Sequence, residues 1–292
     1  VPDGPSDPTF VLTISCPDRR GIVAAVAGFL TGHDANIIDS QQFGDPATGR
    51  FFMRVHLAHE VADPDAAVLR ADFGAPGGPA STFGMDWNLH DPGAPARILV
   101  LASRLSHCLD DLLHREQSGV LPGVIVGVVS NHPDLRPLVE ARDRPFHHLP
   151  MSPAERAGTE DALLALVETE SVDLVVLARY MQVLSPRVCQ ALPGRMINIH
   201  HSFLPSFAGA KPYHQAYDRG VKLIGATAHY VTDDLDEGPI IEQEVARVDH
   251  TMGPHQLMAA GRDVERAALA RAVTAHLEHR VLLNASRTVV FR

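Results

Sequence analysis

Two polar segments, NIHHSFLPSFAGAKPYH (198–214) and TDDLDEGP (232–239), hold most of the side chains that could do chemistry in this 292-residue chain. Asn198 and His200 lie two residues apart in a predicted strand, MINIH, so both side chains point to one face. An amide beside an imidazole can hold an oxyanion. The same pair can also cap a strand end and bond to backbone. The second segment gathers Asp233, Asp234, Asp236 and Glu237. It reads as a solvated hairpin tip, or as a turn that Leu235 and Gly238-Pro239 shape so that one carboxylate points inward. Calcium is a third reading, but the twelve-residue calcium loop with its terminal Glu is absent.

Other candidates are weaker. His229 precedes the acidic turn and fits either a core histidine or one that supports the site. His132, His147 and His148 fall near predicted strand ends or loops and read as surface or structural residues. There is no HExxH, GxSxG or CxxC. Cys16, Cys108 and Cys189 are scattered, which suits a reducing compartment rather than a disulfide framework or a zinc site. The turn after the first strand of the large domain, ASRLSHCL, lacks the glycines of a phosphate cradle.

Those segments need elements to hold them. Residues 10–16, 35–43, 50–58 and 84–90 read as strands, with helices over 21–32 and 63–73. The order is β-α-β-β-α-β, a split βαβ arrangement. DPGAPA (91–96) marks a domain boundary. Beyond it, buried strands at 96–102, 123–130, 172–178 and 196–200 alternate with helices ending near Glu116 and spanning 134–142 and 153–170. Continuous apolar strands alternating with helices predict a parallel sheet covered on both faces. Residues 223–231 and 239–248 read as an antiparallel pair around the acidic turn, and a long helix runs from about Pro254 to Leu277.

Composition narrows the class. The chain is 45% hydrophobic and 21% charged, in the globular range. A formal net charge of -10 gives no basic footprint for nucleic acid. VPDGPSDPTF has neither the basic nor the apolar region of a signal peptide, and no apolar run reaches the ~20 residues that span a bilayer. The expectation is a cytoplasmic two-domain protein with no membrane or nucleic-acid partner.

NIHHSFLP followed by GAKPYHQAYDRGVKLIGATAHYVTDDLDEGPII resembles the folate-dependent formyltransferase fold, whose signature is Asn-x-His on a strand end and Asp in an LD-x-GP turn. Here those residues are Asn198, His200 and Asp236. Residues 8–91, with TISCPDRRGIVAAVAGFL and ANIIDSQQF, resemble an ACT domain. Within the fold family, the long match, the ACT half and the glycine-free ASRLSHCL turn are most similar to the formyltetrahydrofolate deformylases. The resemblance implies an α/β protein in two parts. The first is a ferredoxin-like ACT domain over 8–91. The second, over 96–292, is a mostly parallel, Rossmann-like formyltransferase sheet flanked by helices.

It further implies a hydrolase acting on a linear amide bond: 10-formyltetrahydrofolate goes to formate and tetrahydrofolate, supplying purine biosynthesis and balancing the one-carbon pool. The folate is substrate, and no cofactor or metal is implied. Asn198 and His200 would stabilise the oxyanion, and an ionised Asp236 would favour protonated His200, orient water and move a proton. Arg179, Tyr180, Met181, Ser202 and His229 would bind or support the substrate. Asp18, Gly21 and Asn36 would hold an amino-acid effector, methionine or glycine, in a homo-oligomer. Two other readings remain: a formyltransferase that passes the formyl group to an amine, and a non-catalytic amino-acid sensor.

Overall fold

The computed structural model describes residues 9–59, 66–91, 93–152, 155–204 and 212–292. Two compact units emerge: residues 1–94 together with 278–292, and residues 95–277. The expected stretch 96–292 therefore ends early, because the last fifteen residues fold with the first unit.

In the first unit, β1 (Thr9–Pro17), β2 (Ala35–Asp45), β3 (Arg50–His59) and β4 (Asp86–His90) form an antiparallel sheet in the order β2-β3-β1-β4. Helix α1 (Ile22–Thr31) turns Ile22, Val26 and Leu30 inward at helical spacing. They meet Leu12, Ile14, Met53, Val55 and Leu57 on one sheet face. Alternation sends Phe52 to the opposite face. There it packs on Leu282, Val289 and Phe291 of the hairpin β12 (Val281–Asn284) and β13 (Arg287–Val290). That contact is why the chain end joins this unit. The single helix expected over 63–73 is replaced by two, α2 (Ala66–Gly74) and α3 (Pro79–Phe83). Ala75-Pro76-Gly77-Gly78 breaks the first, and Pro79 suits a helix start. Residues 63–65 of that expectation lie outside the described residues.

The second unit is a seven-stranded sheet in the order β11-β10-β9-β8-β5-β6-β7. Strands β5 (Ala96–Ala102), β6 (Gly123–Ser130), β7 (Phe146–His148), β8 (Leu174–Leu177) and β9 (Met196–His200) run parallel. Strands β10 (Leu223–Tyr230) and β11 (Ile240–Arg247) close one edge antiparallel, as the acidic turn predicts. Helices α4 (His107–Gln117), α5 (Arg136–Glu140), α6 (Arg156–Thr169), α7 (Pro186–Ala191), α8 (Pro212–Asp218) and α9 (Pro254–Leu277) complete the unit. Leu99, Leu101, Val175 and Leu177 from the strands pack on Leu163, Val167 and Val188 from the helices. The chain steps from β5 to β6 on one side and to β8 on the other. A switch point therefore opens at the carboxyl ends of β5 and β8, where such sheets bind ligands. Among the described residues, no helix is long and apolar enough to cross a membrane.

Candidate active site

Strand β9 sits between β8 and β10, and register decides what meets at its end. Asn198 lies opposite His229 on antiparallel β10, and His200 lies opposite Thr227. Directly opposed residues have Cβ atoms only ~5 Å apart, and Asn198 Nδ2 lies 3.2 Å from His229 Nε2. His229 Nδ1 donates to the Tyr230 carbonyl at 2.9 Å, so Nδ1 carries a proton. When Nε2 is bare it accepts from the Asn198 amide. When it is protonated it faces Asp236 Oδ1, 3.7 Å away. A register shift between Ala228 and His229 against β11 re-aims this part of β10.

The acidic turn delivers one carboxylate inward. Asp233, Asp234 and Glu237 are exposed, whereas Asp236 is half-buried. Its backbone is left-handed, at φ 59°. Asp236 Oδ2 lies 3.2 Å from His200 Nδ1. The His200 imidazole first, and His229 second, hold the Asp236 carboxyl well below its usual range, against the upward push of burial. His200 Nε2 is buried with no hydrogen-bond partner among the described residues. The trio surrounds one end of a cavity of about 630 Å³.

The other expected site residues divide. Arg179, Tyr180, Met181 and His229 line this cavity. Tyr180 is buried in the apolar cluster, and burial pushes its hydroxyl up to about 12. The Met181 N–H donates to Ser103 Oγ at 2.9 Å, which ties the ends of β5 and β8. Ser202 does not line the cavity; its carbonyl accepts from Thr227 Oγ1 at 3.0 Å, a supporting contact. PSFAGAK (205–211) lies outside the described residues. In the first unit, the Asp18 and Gly21 turn precedes α1. Asp18 approaches Gly44 at one end of β2, while Asn36 stands near the other end. One chain therefore does not bring Asn36 to that turn.

A knot of charge that the motifs did not reveal adjoins the same cavity. Glu265 on α9 is 1% exposed. Its carboxylate takes His107 Nε2 at 2.7 Å and the Tyr213 hydroxyl at 2.6 Å, with Arg179 Nε at 3.5 Å. Burial pushes Glu265 up, but His107, Arg179 and Tyr213 outweigh it and hold the carboxyl below its ordinary value. The sequence signal was a lone acid on the buried face of α9, among Val264, Ala268 and Leu269. Among the described residues, His107, Cys108 and Glu265 are close enough to share a metal ion. Glu265 already accepts from two donors and lies beside the Arg179 cation, and burial pushes the Cys108 thiol well up. That donor set suits a cation poorly. Dialysis against a chelator should leave catalytic turnover intact; loss of turnover restored by one divalent ion would contradict this.

A cavity at a switch point, with an amide, an imidazole and a carboxylate converging on it, is the arrangement expected of acyl-group chemistry. The formyl transferase family model matches residues 96–273, and the ACT domain model matches residues 10–74. The class is thus a formyl transferase domain joined to an ACT domain. A formyltetrahydrofolate deformylase from Corynebacterium sp. (strain P-1) is 53% identical over 282 residues, spanning 97% of this chain and 98% of that relative. The crystal structure of the formyltetrahydrofolate deformylase from Burkholderia mallei superposes with a TM-score of 0.92 at 53% identity, covering 98% of this chain and all of that one. The crystal structure of a glycinamide ribonucleotide transformylase from Symbiobacterium toebii gives a TM-score of 0.64 at 31% identity, over 70% of this chain and 98% of that one. The chain belongs to the formyltetrahydrofolate deformylase family.

Proposed function

We propose that this protein hydrolyses 10-formyltetrahydrofolate to formate and tetrahydrofolate through Asn198, His200 and Asp236. The observation that carries the reading is their convergence at the end of β9, on a cavity wide enough for a bicyclic ring. The formyl carbon belongs to an amide, and attack by water builds negative charge on its oxygen. A carboxamide NH2 has two donors. One Asn198 N–H engages His229, and the second is available to the oxyanion. With Nδ1–H held by Asp236, an imidazolium at His200 offers Nε2–H as the second donor; each is worth roughly 3–4 kcal/mol of barrier.

Asp236 stays ionised at neutral pH and accepts a proton from the attacking water. The water oxygen bonds to the formyl carbon, and the bond from carbon to folate nitrogen breaks. One water proton passes through Asp236 to that nitrogen, and the other leaves as formic acid ionises. Met181, Leu184 and Leu235 line the cavity and offer the folate ring an apolar wall. None of these steps uses a resident metal or cofactor. The test is formate release with no amine present; a pure, folded protein that releases none would sink the reading.

We further take the ACT half to bind an amino-acid effector, methionine or glycine, in a homo-oligomer in the cytoplasm, with the formate passing to purine synthesis. The exposed edge strand β2, with Ile38 and Phe43 outward, supports the assembly. Titrating either amino acid into the full chain should change the rate of formate release. A tenfold effect needs only about 1.4 kcal/mol of differential binding between two states. Gly21, at φ 96°, should lose the response when replaced by Val. A flat titration of the wild-type protein with both amino acids would make this half structural.

A further inference from the structure

The fold alone does not choose between water and an amine, since transformylases share it. The choice must come from the walls of the cavity. One wall is apolar, built by Tyr180, Leu184 and Val231 from the large cluster of this unit. Arg179, His201 and Tyr213 also line the cavity and belong to the charged knot around Glu265; the His201 ring centroid is 5.0 Å from that of His200.

Three features single out Arg179 in that knot. It is non-glycine in left-handed backbone, at φ 63°, where β8 delivers the chain to the switch point; such conformations concentrate at functional sites. Its side chain is 11% exposed. Its Nε is buried with no hydrogen-bond partner among the described residues, being too far from Glu265 for a good bond. An unsatisfied buried donor costs free energy that a small polar molecule can relieve. Behind it the knot is built closely. Gly261 admits the Tyr213 ring onto α9, because a Cβ there would lie 2.2 Å from Tyr213 Cζ. One helical turn on, Glu265 receives the Tyr213 hydroxyl.

We propose that Arg179, braced by Glu265 and Tyr213, is the specificity-determining wall that reserves the acceptor position for water and excludes amines. Primary amines arrive mostly as ammonium ions at neutral pH. Glu265 would be their natural counter-ion, but its oxygens already accept from His107 and Tyr213, and its charge is faced by the Arg179 cation 3.5 Å away. What faces an ammonium instead is a permanent guanidinium cation, and like charges repel strongly where water is scarce. Water is neutral, small, and able to accept from Arg179. His201, pushed down to about 4 by burial, with Arg179 and His200 adding to it, presents a neutral imidazole on the same wall.

The inference rests on the hydrolase reading above, and the experiment separates the two. Full-length protein is given 10-formyltetrahydrofolate with and without glycinamide or methylamine, and formate and formylated amine are measured in one reaction. Wild type should give formate with at most a trace of formylated amine. Arg179→Gly, which suits the left-handed backbone, and Tyr213→Ala, which opens the wall from another element, should each raise the ratio of formylated amine to formate at least about tenfold. Arg179→Lys keeps the cation and should keep the wild-type ratio of the two products, whatever its total turnover. A folded Arg179→Gly and Tyr213→Ala with the wild-type ratio, or with no turnover of either kind, would overturn the inference. So would failure of both to fold, since the wall would then be structural. Formylated amine from wild type that makes no formate alone would instead sink the hydrolase reading.

Discussion

Replacing Asp236 by Asn should lower formate release at least ~100-fold while leaving folate affinity nearly unchanged. The carboxylate brings a negative charge and a basicity that an amide lacks, and it uses them in two roles. It fixes His200 through Nδ1, which leaves Nε2 as the donor turned toward substrate. It is also the proton acceptor for water. The change is nearly isosteric, so the cavity keeps its shape and the effect should appear in kcat rather than KM. Stability should respond as well. The folded carboxyl titrates well below its unfolded value of about 3.9, so its contribution is complete above that pH and is lost as pH falls through the folded value. At neutral pH the variant lacks that contribution, and its melting temperature should fall. In acid the two proteins should converge. A variant with normal turnover would remove Asp236 from the chemistry.

Gly238→Ala should also cost on the order of 100-fold in turnover, because small displacements of catalytic groups have effects of that size. A Cβ on Gly238 would lie 1.7 Å from the Tyr230 carbonyl oxygen. That oxygen cannot simply withdraw: it accepts the His229 Nδ1 proton, and the Tyr230 N–H donates to Pro239. Relief must move either the turn that carries Asp236 or the end of β10 that carries His229. Both outcomes separate Asp236 from its imidazoles. Folding of the sheet should survive, since Gly238 lies outside the strands. The measurement is kcat together with near-UV circular dichroism. Wild-type kcat in a folded variant would show that the turn can shift without disturbing the trio.

The parts of this molecule that were legible in sequence are those whose signal is local. Asn198 and His200 share a face because a strand repeats every two residues, and the antiparallel pair follows from a short turn between two apolar runs. The inward carboxylate could be singled out only through the motif around Gly238-Pro239, since four acids compete there. What escaped was non-local or too short. β7 has three residues, too few to repeat the two-residue alternation of a strand. The hairpin at 281–290 finds its partner, Phe52, more than two hundred residues earlier, so nothing nearby reveals which unit it joins. Glu265 is one charge within the apolar stripe of α9, and no motif singles it out. Its partners His107, Arg179 and Tyr213 come from three other elements, and only the fold gathers them. Asn36 and the Asp18 turn, grouped by resemblance, stand near opposite ends of β2.

Water acts as the nucleophile at Asn198, His200 and Asp236, and that is the central claim. Its most direct test is turnover of 10-formyltetrahydrofolate in water enriched in heavy oxygen, without any amine, with the formate read by mass spectrometry. Formate should appear at the rate of tetrahydrofolate, each molecule carrying a single solvent oxygen, and that signal should be lost in Asp236→Asn. Tetrahydrofolate formed without labelled formate, or formate appearing only when an amine is added, would contradict it.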